Sequence, residues 1–477
     1  MNDVDPLREA AAVRPDTTAV IETTTGTELS YASLDHEVAL KTDSLLDEGV
    51  RSTECVGLVC HRTIDSIVTL HALRRIGAIA VPVDPDLPEE RIDARFDKCS
   101  VSHRVDGREV RVHNNTERSN SSRCNPQSKN FDNETEMLCI LFTSGTTGEA
   151  SPVPLTTGNV RSSAYASALR LGLLPTDRWI SPMSLAQMGG IAPIYRAVLY
   201  GTGTILTPFA TSAINDAIQA HEGTGISLVP TMLRKLLEAN APLDVCRIVL
   251  VGGDRTDPEL VQEALARDVP LYVTYGMTEA ASQISTATPA ELAETPDTVG
   301  RPLRGTTVTT DAEEGEAEGE LLVSGPTISP GTFRHLSVDR IDDRGVLHTG
   351  DNGYLDASGR LFVTGRIDTR IITGGATVDP QHIEYQIRQL SGVIDAVVGG
   401  IPDQTWGEVV GALIQFENEP EDFERSFSAL DDILTRAEKP RVILPCEHFP
   451  RTPAGTIDRK KAIERLTGAT DAEYITL

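Results

Sequence analysis

Thr143-Ser144-Gly145-Thr146-Thr147-Gly148 places four hydroxyls and two glycines in six consecutive residues. Such a run has nothing to bury, so it cannot build a core. It can build a phosphate cradle. Glycine admits positive φ, which lets successive backbone N–H groups converge on one anion. The hydroxyls add donors that rotate toward phosphate oxygens. An apolar run from Leu138 to Phe142 precedes it and reads as a short buried strand. The plainer alternative is a polar surface loop joining two elements.

The elements that must position this stretch alternate in type. Upstream, the patterning predicts a helix over 6–12, strands at 18–22 and 28–31, and a helix over 33–48. A buried strand at 55–60, a helix at 64–76 and a strand at 78–83 follow. Strand–helix–strand order calls for a parallel sheet covered by helices. Residues 112–135 are almost without apolar side chains and are expected to form a mobile surface loop. Beyond the Gly/Thr stretch, strands are expected at 179–184, 204–207, 227–229, 248–252 and 271–275. Helices are expected at 159–171, 192–200, 212–221, 231–238 and 258–266. Short strands at 306–310, 319–324, 346–349 and 361–364 suggest a β-subdomain. After Arg366-Ile367-Asp368 comes an α+β module with helices at 380–390, 427–438 and 460–466 and strands at 394–401 and 409–416. The expected class is α/β: a large N-terminal domain, 1–366, of helix-covered sheets plus a β-subdomain, and a small C-terminal α+β domain, 367–477.

The balance of 43 basic and 70 acidic residues, net -27, argues against nucleic acid or an anionic membrane surface as partner. Only seven of the basic residues are Lys. That composition suits high salt, where like-charge repulsion is screened, and equally an ordinary acidic protein. The seven cysteines are scattered without a Cys-x-x-Cys pair, which fits a reducing cytoplasm rather than a disulfide framework or zinc site. No apolar h-region opens the chain and no run of about 18 apolar residues occurs, so neither a signal peptide nor a membrane span is expected.

Five stretches occur in one order: Phe142 to Gly148, Tyr275-Gly276-Met277-Thr278-Glu279, His348-Thr349-Gly350-Asp351, Gly365-Arg366-Ile367-Asp368, and Pro450 to Arg459. Together they resemble the ANL superfamily of adenylate-forming enzymes across almost the whole chain. Residues 170–202, 229–233 and 275–284 look most like the o-succinylbenzoate–CoA ligases of menaquinone biosynthesis. The resemblance implies an AMP-forming acid–thiol ligase. A carboxylate attacks the α-phosphate of ATP, leaving an acyl-adenylate and pyrophosphate; the thiol of CoA then displaces AMP. ATP, magnesium, CoA and a small carboxylic acid are the implied ligands, and a homodimer is compatible with the family.

By the same resemblance, Thr143, Ser144, Gly145, Thr146, Thr147 and Gly148 hold the β- and γ-phosphates. Thr278 donates to the α-phosphate and Glu279 holds magnesium, as a hard cation prefers. Tyr275 lies against adenine, with Gly252, Gly253 and Asp254 completing that wall. Asp351 accepts from the ribose hydroxyls, and Arg366 follows as a guanidinium near ribose and phosphate. Asp368 is the hinge about which a mobile C-terminal domain turns, and Gly374 and Gly375 admit the pantetheine arm. Gln187, Arg196, Ser282 and Gln283 are candidates for the acyl pocket. Plainer roles exist for each: Glu279 as a helix N-terminal carboxylate, Tyr275 as a core aromatic, Asp351 as a turn former, Arg366 in a surface ion pair, Gly374-Gly375 as a hairpin turn, and Arg196 capping a helix or pairing with a surface acid.

Two expected lysines are absent. Ser151 stands where the phosphate loop normally continues into Lys, and Thr456 stands where the C-terminal motif normally carries the Lys that bridges carboxylate and α-phosphate. Losing one such charge costs roughly 10²–10³ in rate. Lys460 and Lys461 lie one turn further on. Three readings follow: an o-succinylbenzoate–CoA ligase that tolerates Thr456, a CoA ligase for another aromatic or keto acid, and a nucleotide- or acyl-CoA-binding homologue impaired in adenylation.

Overall fold

The computed structural model describes residues 5–113, 135–143, 150–312, 318–403, 405–417, 426–430, 433–451, 457–469 and 475–476. The polar stretch expected as a loop falls on 114–134 and so lies, but for its ends, outside the described residues. The chain divides into two compact units. The first comprises Met1–Thr309, Leu322–Thr349 and Leu355–Phe362; the second comprises Thr310–Leu321, Gly350–Tyr354 and Val363–Leu477.

The first unit contains two large sheets. One is nine-stranded, in the order Arg301–Pro302, Ser282–Ala287, Leu271–Met277, Ile248–Val251, Gly225–Leu228, Arg178–Ser181, Gly203–Leu206, Thr18–Glu22, Thr27–Ser30. Its six consecutive strands from Leu271–Met277 to Thr18–Glu22 are parallel. The other is six-stranded: Glu109–Val112, His103–Asp106, Cys55–Val59, Ile79–Val83, Met137–Thr143, Ser151–Thr156. Helix Ile64–Ile76 touches strands of both sheets, and one apolar core joins them through Leu70, Leu73, Ile191 and Tyr195. Its ends are set locally. Thr63 accepts from Ser66 N at 3.4 Å, and Gly77 closes it at φ 75°.

Expected elements recur with shifted ends, and among those not anticipated three features flank the Gly/Thr stretch or its sheet. Helix Glu89–Lys98 buries only Ile92 and Phe96, so its apolar stripe is too thin to stand out. The hairpin of His103–Asp106 and Glu109–Val112 is mostly polar. Strand Ser151–Thr156 carries Pro152 and Pro154, and it is the sheet's last strand, where proline is tolerated. Among the described residues of 427–438, where a helix is expected, only Phe427 is α-helical. The described part of 427–438 has a 3-10 turn at Ser428–Leu430 and then bends and turns. There Glu438 accepts from Thr435 N at 2.8 Å and Thr435 Oγ1 at 2.7 Å, local bonds that compete with a helix.

In the second unit, Val393–Asp403 pairs antiparallel with Gly407–Phe416, which also pairs parallel with Val442–Cys446. Alternate residues of these strands serve two cores. Val398, Ala412 and Ile414 meet helix Pro380–Arg388, while Val397 and Leu413 meet helix Arg459–Gly468. Arg459 forks onto the buried Glu384 at 2.6 and 2.7 Å. A further four-stranded sheet runs in the order Thr307–Thr310, Gly319–Ser324, Leu347–Leu355, Leu361–Arg366. Among the described residues no helix is long and apolar enough to cross a membrane.

Candidate active site

Strands Met137–Thr143 and Ser151–Thr156 form the stems of the Gly/Thr stretch. Thr143 lies opposite Ser151, and its Oγ1 donates to Ser151 O at 3.4 Å. Ser144, Gly145, Thr146, Thr147 and Gly148 lie outside the described residues.

A second hairpin carries Glu279. Strand Leu271–Met277 ends in the 3-10 turn Thr278–Ala280, and the chain returns along Ser282–Ala287. Glu279 therefore sits in a hairpin turn, not at the start of an α-helix. Ala281, at φ 50°, and Ser282, at φ 108°, make the reversal. Thr278, Glu279 and Tyr275 are half-buried. The turn is fastened to the first hairpin: it touches strand Ser151–Thr156, and Ser329 bridges the two. Ser329 N donates to Glu279 O at 2.8 Å and Ser329 Oγ donates to Pro154 O at 2.7 Å.

Gly252 ends the parallel strand next to Leu271–Met277, and a Cβ there would stand 2.6 Å from Thr274 Cγ2. Gly253 turns at φ 83°, and Asp254 is exposed and accepts from Arg255 N at 2.8 Å. Tyr275 and the Gly252-Gly253-Asp254 segment thus occupy carboxyl ends of neighbouring parallel strands, the place where open α/β sheets bind ligands. Among the described residues no cluster of three or more His, Cys, Asp and Glu could cage a metal. A half-buried carboxylate suits magnesium, which takes one or two carboxylates, keeps waters and shares substrate phosphates. Glu279 fits that ion on this ground.

Of the acyl-pocket candidates, Gln187 is the half-buried N-cap of helix Met188–Tyr200 and makes no side-chain cap bond. Arg196, in the same helix, is buried and donates from Nη2 to Ser163 Oγ at 3.1 Å. It caps no helix, and no described Asp or Glu forms an ion pair with it. Burial lowers its pKa, and the nearby Tyr200 only partly opposes this. Ser282 is half-buried. Gln283 is buried, gives Nε2 to Thr286 Oγ1 at 3.0 Å and leaves Oε1 without a partner.

In the second unit, Arg366 Nη1 lies 2.9 Å from Asp351 Oδ1, a pair whose carboxylate side is only 8% exposed. The two residues assigned to ribose and phosphate hold one another across strands Leu347–Leu355 and Leu361–Arg366. Gly374 and Gly375 form a two-residue hairpin turn at φ 58° and 86°. A Cβ on Gly374 would stand 2.5 Å from Trp406 Cε3, whereas Gly375 faces open space. Thr456 lies outside the described residues. No motif pointed to helix Glu89–Lys98, whose Lys98 Nζ reaches Ala150 O beside the first hairpin's stem. Its charges at 91, 95 and 98 were the available signal.

The chain is 31% identical over 471 residues to a 2-succinylbenzoate–CoA ligase of Bacillus mycoides, covering 95% of this chain and 97% of the relative. The o-succinylbenzoate CoA synthetase of Bacillus subtilis with its acyl-adenylate intermediate superposes with a TM-score of 0.85 at 25% identity, covering 96% of this chain and 97% of that one. The same enzyme with ATP and magnesium gives 0.85 at 25%, covering 96% and 98%. Residues 7–333, which include both hairpins, match the family described as AMP-binding enzyme, and the chain belongs to that family.

Proposed function

We propose that this chain is an AMP-forming acid–thiol ligase that joins o-succinylbenzoate to CoA through an acyl-adenylate, serving menaquinone biosynthesis. The observation that carries the reading is the fastening of the Thr278–Glu279 turn to the stems of the Gly/Thr hairpin through Ser329. It gathers a carboxylate, a hydroxyl and the stems of a phosphate-type loop at one place. The full-length likeness to 2-succinylbenzoate–CoA ligases supports the acyl substrate.

The protein's task is positioning and neutralisation rather than covalent chemistry. Thr143 to Gly148 hold the β- and γ-phosphates, and Thr278 donates to the α-phosphate oxygen on which charge develops. Tyr275 and Gly252 to Asp254 flank adenine. Asp351 accepts from the ribose hydroxyls, sharing its charge with Arg366. Arg196 and the unpaired Gln283 Oε1, with Ser282 and Gln187, address the polar ends of the acid. Glu279 holds magnesium, which screens the phosphate charge when bound. Residues 367–477 turn as a body about Asp368, bringing Gly374 and Gly375 to the thiol. The enzyme works in the cytoplasm, on small molecules, and gains activity with salt.

Thr456 favours a second reading, a homologue that binds nucleotide but adenylates poorly, since it removes a cation from the first step. One experiment separates the two. Purified protein in low and in molar KCl receives ATP, magnesium, CoA and o-succinylbenzoate, and AMP and thioester are quantified by chromatography. Stoichiometric AMP and thioester support the ligase. No AMP under either condition sinks it. A panel of aromatic and keto acids then tests the acyl assignment, and Thr456→Lys measures what the threonine costs.

A further inference from the structure

Helix Glu89–Lys98 sorts its charges by face. Glu89, Asp93 and Asp97, one turn apart, each meet a basic side chain outside the helix. Glu89 takes the Arg104 guanidinium, Asp93 lies 3.8 Å from it, and Asp97 Oδ1 is 3.2 Å from His113 Nε2. Ile92 and Phe96 fill the buried stripe, in one apolar cluster with Ile140 and Phe142 of the first hairpin. Two basic residues of this helix meet that hairpin. The Arg95 guanidinium carbon is 5.0 Å from the Phe142 ring centroid, and Lys98 Nζ donates to Ala150 O at 3.4 Å.

Phe142 precedes Thr143 and Ala150 precedes Ser151, so one cation meets each stem beside the facing Thr143–Ser151 pair. Among the described residues neither cation forms an ion pair. The facing stem residues are both neutral hydroxyls. A triphosphate brought there needs positive charge from elsewhere. Arg95, stacked on an aromatic face, keeps its N–H edge oriented. Lys98, exposed on a flexible stem, gives up only a long carbonyl contact when it swings to an anion.

We propose that Arg95 and Lys98 neutralise the β- and γ-phosphates of ATP at this hairpin, supplying from a neighbouring helix the charge that Thr143 and Ser151 lack. This rests on the ATP-dependent reading above.

The test compares ligands with and without those phosphates. Magnesium–ATP, magnesium–pyrophosphate and AMP are titrated calorimetrically into wild-type protein, Arg95→Gln, Lys98→Gln and the double variant. Each substitution is expected to weaken ATP and pyrophosphate by about tenfold, as loss of a charge-assisted hydrogen bond does, and to leave AMP within about twofold. Ser151→Lys in the Lys98→Gln background is expected to restore ATP affinity, and Arg95→Lys and Lys98→Arg to keep most of it. The proposal is overturned if the double variant binds ATP like wild type. It is equally overturned if AMP weakens in parallel, because the helix then only props the hairpin. Wild-type protein that binds ATP tightly yet forms no acyl-adenylate overturns the reading of the reaction, and the phosphate contacts still stand.

Discussion

Gly276→Ala is the sharpest test of how Glu279 is held. Gly276 faces Gln283 across the hairpin, at a register shift between Tyr275 and Gly276. A Cβ built there stands 1.9 Å from Ser282 O, 2.7 Å from Ser282 C and 2.9 Å from Gln283 Cα. All three atoms are backbone, so no side chain can swing aside. Real Cβ atoms essentially never approach within 3.0 Å, so the strands must part by about 1.1 Å, the difference from 1.9 Å. Thr278 and Glu279 hang directly beyond this contact and move with it. A misplacement of about 1 Å costs roughly 10² in rate, or about 2.7 kcal/mol on the barrier. Overpacking should also lower stability by about 1–3 kcal/mol. The assay is o-succinylbenzoate-dependent exchange of labelled pyrophosphate into ATP, read beside thermal unfolding. Gly26→Ala is the control. Its backbone is left-handed, φ 70°, unlike that of Gly276, but a Cβ there would meet nothing within 4 Å, so it should keep the exchange rate. Wild-type exchange in Gly276→Ala refutes the reasoning. So does an equal loss in Gly26→Ala, which would make the effect one of general stability.

Three further outcomes are expected. Arg196→Met should raise KM for the acid about tenfold or more while KM for ATP holds, and it should not lower Tm, since a buried cation without an acidic partner is removed; an unchanged KM for the acid removes Arg196 from the pocket. His71 is held neutral by burial, with Arg74 adding to it, and its pKa falls to about 3. Its contribution is therefore complete above the unfolded value of about 6.5 and is lost as pH falls from there toward about 3, reaching about 2 kcal/mol at pH 5. Urea unfolding at pH 7 and pH 5 should show that slope in wild type and not in His71→Gln; identical slopes contradict it. Gly374→Ala puts a Cβ 2.5 Å from the Trp406 ring at φ 58°, so it should slow thioester formation about tenfold and spare pyrophosphate exchange; parallel loss of both steps would end its assignment to the thiol step.

The parallel strands were legible because Cys55–Val59, Ile79–Val83 and Ile248–Val251 are buried along their whole length, and such strands are short apolar runs. Helix Glu89–Lys98 was not, because eight of its ten residues are unburied and its stability comes from tertiary contact. Strand Ser151–Thr156 was hidden by its prolines, which argue against a strand unless its place at an edge is already known. The expected helix at 427–438 failed the other way, its apolar spacing outvoted by local bonds at Thr435. At the site, residue identities were readable as motifs. That Ser329 ties Glu279 to Pro154, or that Asp351 and Arg366 pair, was not readable, since these contacts join residues far apart in sequence.

The two prolines of the outer stem bear on more than pairing. Proline has no N–H, so the ladder to Met137–Thr143 must run through Ser151, Val153 and Leu155. The missing donors at 152 and 154 are then those that would face outward. An incoming strand finds carbonyls there and no N–H row to zip onto, and the Pro154 carbonyl is already taken by Ser329. The rim of the Gly/Thr hairpin is thereby closed to strand addition, by a second copy or by a misfolded chain. A nucleotide site can stay open to solvent there without offering a template for aggregation.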